Sequence, residues 1–175
     1  MHLRTSTIRI VFLLYLLWLS DVLTAQNQSN SEDDSRIRTF FSVVHPIVSY
    51  SKNAPSYNFD GQYEIGFPTG VNFIQSEKIA FSIELVPSIE VIDNLSRMSG
   101  LLFHPGIIYR NIGGFNFLTR LAFNTNGRYG FTLVANKPII KKDGITYFLA
   151  TPIPIRFGND NPTSLTIGFQ FGVSF

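Results

Sequence analysis

The sequence predicts an all-β fold: an eight-stranded antiparallel up-and-down transmembrane β-barrel, preceded by a signal peptide. Three observations lead there. Apolar and polar residues alternate with period two in short runs; in "SLTIGFQFGVSF", Leu165, Ile167, Phe169, Phe171, Val173 and Phe175 alternate with small or polar residues. Between the runs, Gly-Gly, Asn-Gly and Asp-Gly mark hairpin joints, whose favoured turns need positive φ. No stretch after residue 25 shows a helical period.

Residues 1–25 read as the signal peptide. His2, Arg4 and Arg9 give a basic start, "IVFLLYLLWL" an apolar run, and "LTA" a small-residue cut after Ala25. That run is too short to span a bilayer, which takes roughly 20 apolar residues. Residues 26–36 contain "QNQSNSEDDS", polar and acidic, and read as a flexible leader. The barrel then occupies residues 37–175. About 150 residues remain after the cut, enough for one domain. A net charge near +1 argues against nucleic acid as a partner. With no cysteine, neither disulfides nor a cysteine-borne lipid can hold this exported chain.

The first strand is expected at Ile37 to Tyr50, followed by the loop "SKNAPS". The second runs from Tyr57 to Ile74, with a short turn at "QSEK"; the third from Ile79 to Ile92, with a loop "DNLSRMS". The fourth spans Leu101 to Arg110 and ends at "NIGG"; the fifth spans Phe115 to Asn124 and ends at "TNG". The sixth covers Arg128 to Ile140 before "KKDG", and the seventh Ile145 to Phe157 before "GNDNPTS". The eighth is the closing segment. Joints two, four and six are short and joints one, three and seven longer, as in barrels with short periplasmic turns and longer outer loops, with joint five, short as well, the one imperfect member. Pro46, Pro68, Pro87, Pro105, Pro138, Pro152 and Pro154 fall inside these strands. Proline removes a ladder donor, so bulges or breaks are expected beside them.

The polar face decides between a membrane barrel and a soluble one. It carries Gly, Ser, Thr, Asn, Glu and Arg, with lysines kept to joints and strand ends. A sheet face meeting water would normally carry lysine. Small residues with paired charges suit a narrow lumen. Asp60, Glu64, Glu84 and Glu90 are the candidate partners there for Arg110, Arg120 and Arg156, since an unpaired enclosed charge is very costly. The opposite face is nearly free of charge, and Tyr50, Tyr57, Tyr63, Tyr109, Tyr129, Tyr147 and Phe157 lie near strand ends, where aromatic girdles belong.

With a signal peptide, a cysteine-free mature chain, eight alternating segments and the closing "GFQFGVSF", the chain resembles a small outer-membrane β-barrel protein of Gram-negative bacteria. The Phe- and Asn-rich style of "FHPGIIYRNIGG" is similar to barrels of the Bacteroidota. The resemblance implies that Phe169, Phe171, Val173 and Phe175 form an assembly signal read by the barrel-assembly machinery. It also implies an outer-membrane location in contact with lipid, and a monomer.

The expected role is non-enzymatic: a barrel with a narrow, charge-filled lumen serving envelope integrity, surface interaction or limited small-solute passage. The alternatives are a soluble periplasmic lipocalin-like carrier of an apolar ligand and a membrane-embedded lipid-modifying hydrolase. His45 and His104, each followed by proline, sit in no catalytic signature and read as satisfied lumen or interface histidines. No cofactor and no metal are expected, because no phosphate loop, nucleotide motif or ligand spacing is present.

Overall fold

The computed structural model describes residues 36–52, 54–158 and 162–175. The expected signal peptide and all of the leader but Arg36 lie outside the described residues. Ten strand segments follow in chain order: β1 (Ile37–Ser51), β2 (Ala54–Tyr57), β3 (Gln62–Gly66), β4 (Thr69–Ile74), β5 (Ile79–Ile92), β6 (Leu95–Ile112), β7 (Phe115–Asn124), β8 (Tyr129–Lys142), β9 (Ile145–Phe157) and β10 (Ser164–Ser174). All pair antiparallel with their neighbours, and β10 returns to β1 from Phe40↔Ser174 to Ser51↔Ser164. The sheet therefore closes into a ring through the β10–β1, β1–β4 and β4–β5 ladders, while β2 and most of β3 each pair on one side only.

The expected count of eight becomes ten because the second expected strand is broken in two and a short segment, β2, precedes it. Phe67 and Pro68 separate β3 from β4, and both lie along β1 and β5. Pro68 has no N–H to give to a ladder; its carbonyl instead accepts from the Ser42 N–H at 2.9 Å. The extra β2 lies in the expected "SKNAPS" loop and pairs with the upper end of β1. Other prolines act similarly. Register shifts fall at Pro46/Val48, at Ser88/Ile89 beside Pro87, and at Pro138/Ile140. The β9–β10 ladder is interrupted between Ala150 and Ile155, around Pro152 and Pro154, and resumes in the same register.

The turns follow local chemistry. Gly113–Gly114 and Asp143–Gly144 have two successive positive φ angles, 59° and 77°, then 52° and 78°, the mirror-image turn that matches strand twist. The expected long loop "DNLSRMS" is not a loop. Asp93 and Asn94 make the same kind of turn, with φ of 52° and 63°, and β6 begins at Leu95. Asparagine and aspartate tolerate that region because their short polar side chains bond locally. The correction weakens the expected alternation of short and long joints: the third joint is tight.

Alternation places even-numbered residues inside along β5 and β7 and on the lower parts of β6, β8 and β9. The outer face carries Phe81 (48% exposed), Phe117 (42%) and Phe169 (45%), whereas inward Glu84 and Arg120 are 2% and 4% exposed. One end, here the lower, holds the start of β1, the end of β10 and the β4–β5, β6–β7 and β8–β9 turns. Toward it the interior fills with Phe40, Ala80, Ile108, Leu118, Val134, Phe148 and Ala150, packed as one apolar cluster. The expected interior of polar and small residues is thus corrected in its lower half. In a narrow lumen, side chains of either polarity can pack the interior.

Candidate functional site

The lumen's middle is a polar layer. Its members come from separate strands and meet because register sets them at one height: Ser42 of β1, Ser82 and Glu84 of β5, His104 of β6, Arg120 of β7, Thr132 of β8 and Gln170 of β10. Glu84 pairs with His104 across β5–β6, and Arg120 with Thr132 across β7–β8. All seven are buried.

Glu84 is the centre. Its Oε1 accepts from His104 Nδ1 at 2.8 Å, and its Oε2 lies 3.2 Å from Arg120 Nη1. Arg120 Nη2 donates to Ser82 Oγ at 3.1 Å, and its guanidinium carbon lies 5.8 Å from the centre of the Phe40 ring. Gly106, opposite Arg120 in the β6–β7 ladder, makes this possible: a Cβ there would meet the Arg120 side chain and the Thr119 carbonyl. On the other side, His104 Nε2 is 2.9 Å from Thr132 Oγ1, which also lies 2.9 Å from Arg156 Nη2.

The hydrogen-bond inventory orders this chain. Arginine only donates, so Thr132 accepts from Arg156 and turns its own proton to His104 Nε2. A neutral His104 then carries its proton on Nδ1 and gives it to Glu84. The tautomer is assigned by the network. The Glu84–His104–Thr132 line has the order of an acid, base and nucleophile relay. Yet Thr132 is 2% exposed and its oxygen is engaged on both sides, so this geometry locks the layer and offers no open attacking oxygen.

The residues expected to form the charge network divide into two groups. Glu84, Arg120 and Arg156 come together, directly or through Thr132. Arg156 also donates to the carbonyls of Phe131 at 2.8 Å and Ile155 at 3.2 Å. The other four stand apart. Glu64 lines the upper lumen, accepting from Ser99 Oγ at 3.2 Å. Glu90 pairs across the β5–β6 hairpin with exposed Arg97 at 2.6 Å. Arg110 is at the lower mouth, donating to the Ser76 carbonyl at 2.8 Å. Asp60 lies in the exposed turn between β2 and β3, outside any lumen wall. It stands at the right parity, but the chain turns there instead of continuing as strand. Phe169, Phe171 and Phe175 are exposed on the outer face, with Val173 half-buried between them. His45 sits near Tyr63, whose hydroxyl is 3.1 Å from its Nδ1.

Two cavities flank the layer. The upper, about 730 Å³, is walled by Pro46, Pro68, Pro152 and Pro154 and carries Glu64, Arg128 and Arg156. The lower is about 190 Å³. Arg120, Val134 and Gln170 border both, so the layer stands between them. Among the described residues, no group of histidine and carboxylate side chains could hold a metal ion.

No family model and no curated protein matches the chain. Among solved structures it is similar to one described as "De novo design of transmembrane beta-barrels". The TM-score is 0.41 and the identity 10%, over 81% of this chain and 99% of that one.

Proposed function

We propose that the protein is an outer-membrane β-barrel with eight wall positions, β3 and β4 sharing one and β2 standing outside the count. Its role on this reading is non-enzymatic. The lumen is closed at mid-height by the Glu84 layer, and the barrel serves as an envelope scaffold or surface-interaction protein with at most limited solute passage. The carrying observation is the inversion of polarity: large apolar side chains cover the outer face while Glu84, His104 and Arg120 are enclosed. Soluble monomers rarely expose an apolar patch beyond a few hundred Å², and a lipocalin-like carrier needs the reverse orientation. Strand lengths support the reading. β7 has 10 residues and β10 has 11, matching the roughly 9–11 tilted residues that cross a bilayer. Tyr50, Tyr57 and Tyr129 lie near one end and Tyr109 and Tyr147 near the other, all exposed or nearly so, as interfacial belts do.

On this reading residues 1–25 direct export, and Phe169, Phe171, Val173 and Phe175 present the assembly machinery with an outward apolar row. Cell fractionation combined with gel mobility before and after heating tests the proposal. The expected result is recovery with the outer membrane and a mobility change on heating; recovery in the soluble periplasm contradicts it. In planar bilayers the purified protein is expected to pass little or no current, and large steady steps contradict a closed lumen.

A further inference from the structure

The lower cavity differs from the rest of the lumen in charge. Arg38, Arg110 and Lys141 stand at its mouth and Arg120 at its depth, and no carboxylate lines it. The upper cavity mixes both signs, with Glu64 and Glu84 among Lys52, Arg120, Arg128 and Arg156. Arg120 is matched by Glu84, but Arg38, Arg110 and Lys141 have no ion-pair partner among the described residues. Between mouth and layer the walls are apolar: Phe40, Ile108, Leu118, Val134 and Phe148. Asn72, Asn116 and Asn136 ring the zone between. Asn72 Oδ1 is buried without a hydrogen-bond partner, and water around a bound head group would supply its donor.

We infer that this pit binds a single-chain acyl carboxylate. The tail lies against Ile108, Leu118 and Val134, and the carboxylate meets Arg38 and Arg110. Guanidinium groups suit a carboxylate because their donors match its two oxygens. The polarity gradient from basic mouth to apolar floor selects an amphipathic anion over an inorganic one. The size selects one chain. About 190 Å³ falls below the roughly 300–1,000 Å³ of drug-sized sites, leaving no room for a two-chain membrane lipid. Glu84 beneath the floor keeps Arg120 occupied, so the head group is held at the mouth rather than drawn through the layer.

The inference rests on the closed ring and its inward parity, not on the membrane reading. A protein recovered from the soluble fraction would refute the membrane reading and still be expected to bind.

The test uses the full chain, methyl-labelled, in a zwitterionic detergent, titrated with sodium octanoate, octylammonium and 1-octanol. Methyl resonances of Ile108, Leu118 and Val134 report the pit; those of Ile107, Leu121 and Leu133, exposed on the outer face, report partition into detergent. Octanoate is expected to shift the pit methyls saturably, with octylammonium producing no saturable shift there. Arg38→Gln with Arg110→Gln is expected to weaken octanoate binding about tenfold or more, as loss of a charge-assisted contact does. Ala80→Leu, which fills the floor and leaves the cations in place, is expected to abolish it. Each variant is first checked for heat-modifiable mobility. If Ala80→Leu fails to assemble, the arginine pair decides alone. Shifts confined to outer-face methyls overturn the inference, as do equal pit shifts from octanoate and octylammonium, or unchanged binding in the arginine pair.

Discussion

The two faces of β7 carry opposite burdens with adjacent residues. Outward, Phe117, Leu121 and Phe123 are apolar and exposed; inward, Leu118, Arg120 and Ala122 are buried, and one is a cation. Hydropathy alone would bury the first set and expose Arg120. The difference teaches that burial in a closed ring is set by parity, and that polarity is then matched to what each face meets. Inside, the matching partner is a specific counter-charge held by register; outside, on the proposed membrane reading, it is lipid.

The largest effect should come from breaking the inner match. Glu84→Leu removes the carboxylate that Arg120 and His104 face and strands a buried guanidinium, at a cost of about 3–5 kcal/mol. Denaturant unfolding in detergent or folding into vesicles measures it, and a near-neutral result would mean that water reaches the layer. The outer face comes next. Leu121→Lys, at a position 56% exposed, is expected to cost about 2–4 kcal/mol if β7 crosses the bilayer there. The same change is nearly silent if that face meets water, so this variant sharpens the comparison most. Thr132→Val keeps the shape but removes the oxygen shared by His104 and Arg156. About 1–3 kcal/mol is expected from the polar groups left without a partner. The smallest effect belongs to the Glu90–Arg97 pair, whose arginine is exposed and whose carboxylate is partly so: Glu90→Ala should change stability by less than about 1 kcal/mol.

How much of this was legible in the sequence varies around the ring. The third, fifth and seventh expected strands coincide with β5, β7 and β9 in both bounds. Their alternation is almost uninterrupted and their Gly-Gly and Asp-Gly turns are encoded locally. The third joint was not legible. Ser96 and Arg97 look like loop residues because the start of β6, Leu95 to Met98, is exposed on both faces, and a strand wetted on both sides loses its alternation. The apolar floor was hidden as well. Ile108, Leu118 and Val134 point inward although they are apolar, so residue type gave no sign of their side.

The polar layer was legible only in part. Parity put Glu84 and Arg120 on the inner face. Their meeting depends on strand stagger, which brings β5, β6, β7 and β8 residues to one height across as many as 48 positions of sequence between Glu84 and Thr132. His104 joins them for the same reason, and its neighbour Pro105 says nothing of it. Asp60 and Glu90 show the converse. Asp60 lies in a turn and not in a wall strand, and Glu90, which faces inward opposite Glu64, pairs locally with Arg97 in its hairpin, so charge type and alternation alone place too many residues in one network.

The cysteine-free chain permits the most direct measurement of orientation. Single cysteines carrying nitroxide labels, placed in turn from Asn116 to Phe123 in the protein reconstituted in lipid vesicles, report collision with dissolved oxygen and with a water-soluble relaxant. The account predicts a period of two: Phe117, Thr119, Leu121 and Phe123 positions open to oxygen and shielded from the relaxant, and the Leu118, Arg120 and Ala122 positions closed to both. The reverse phase, or a relaxant-accessible outer row, would contradict it.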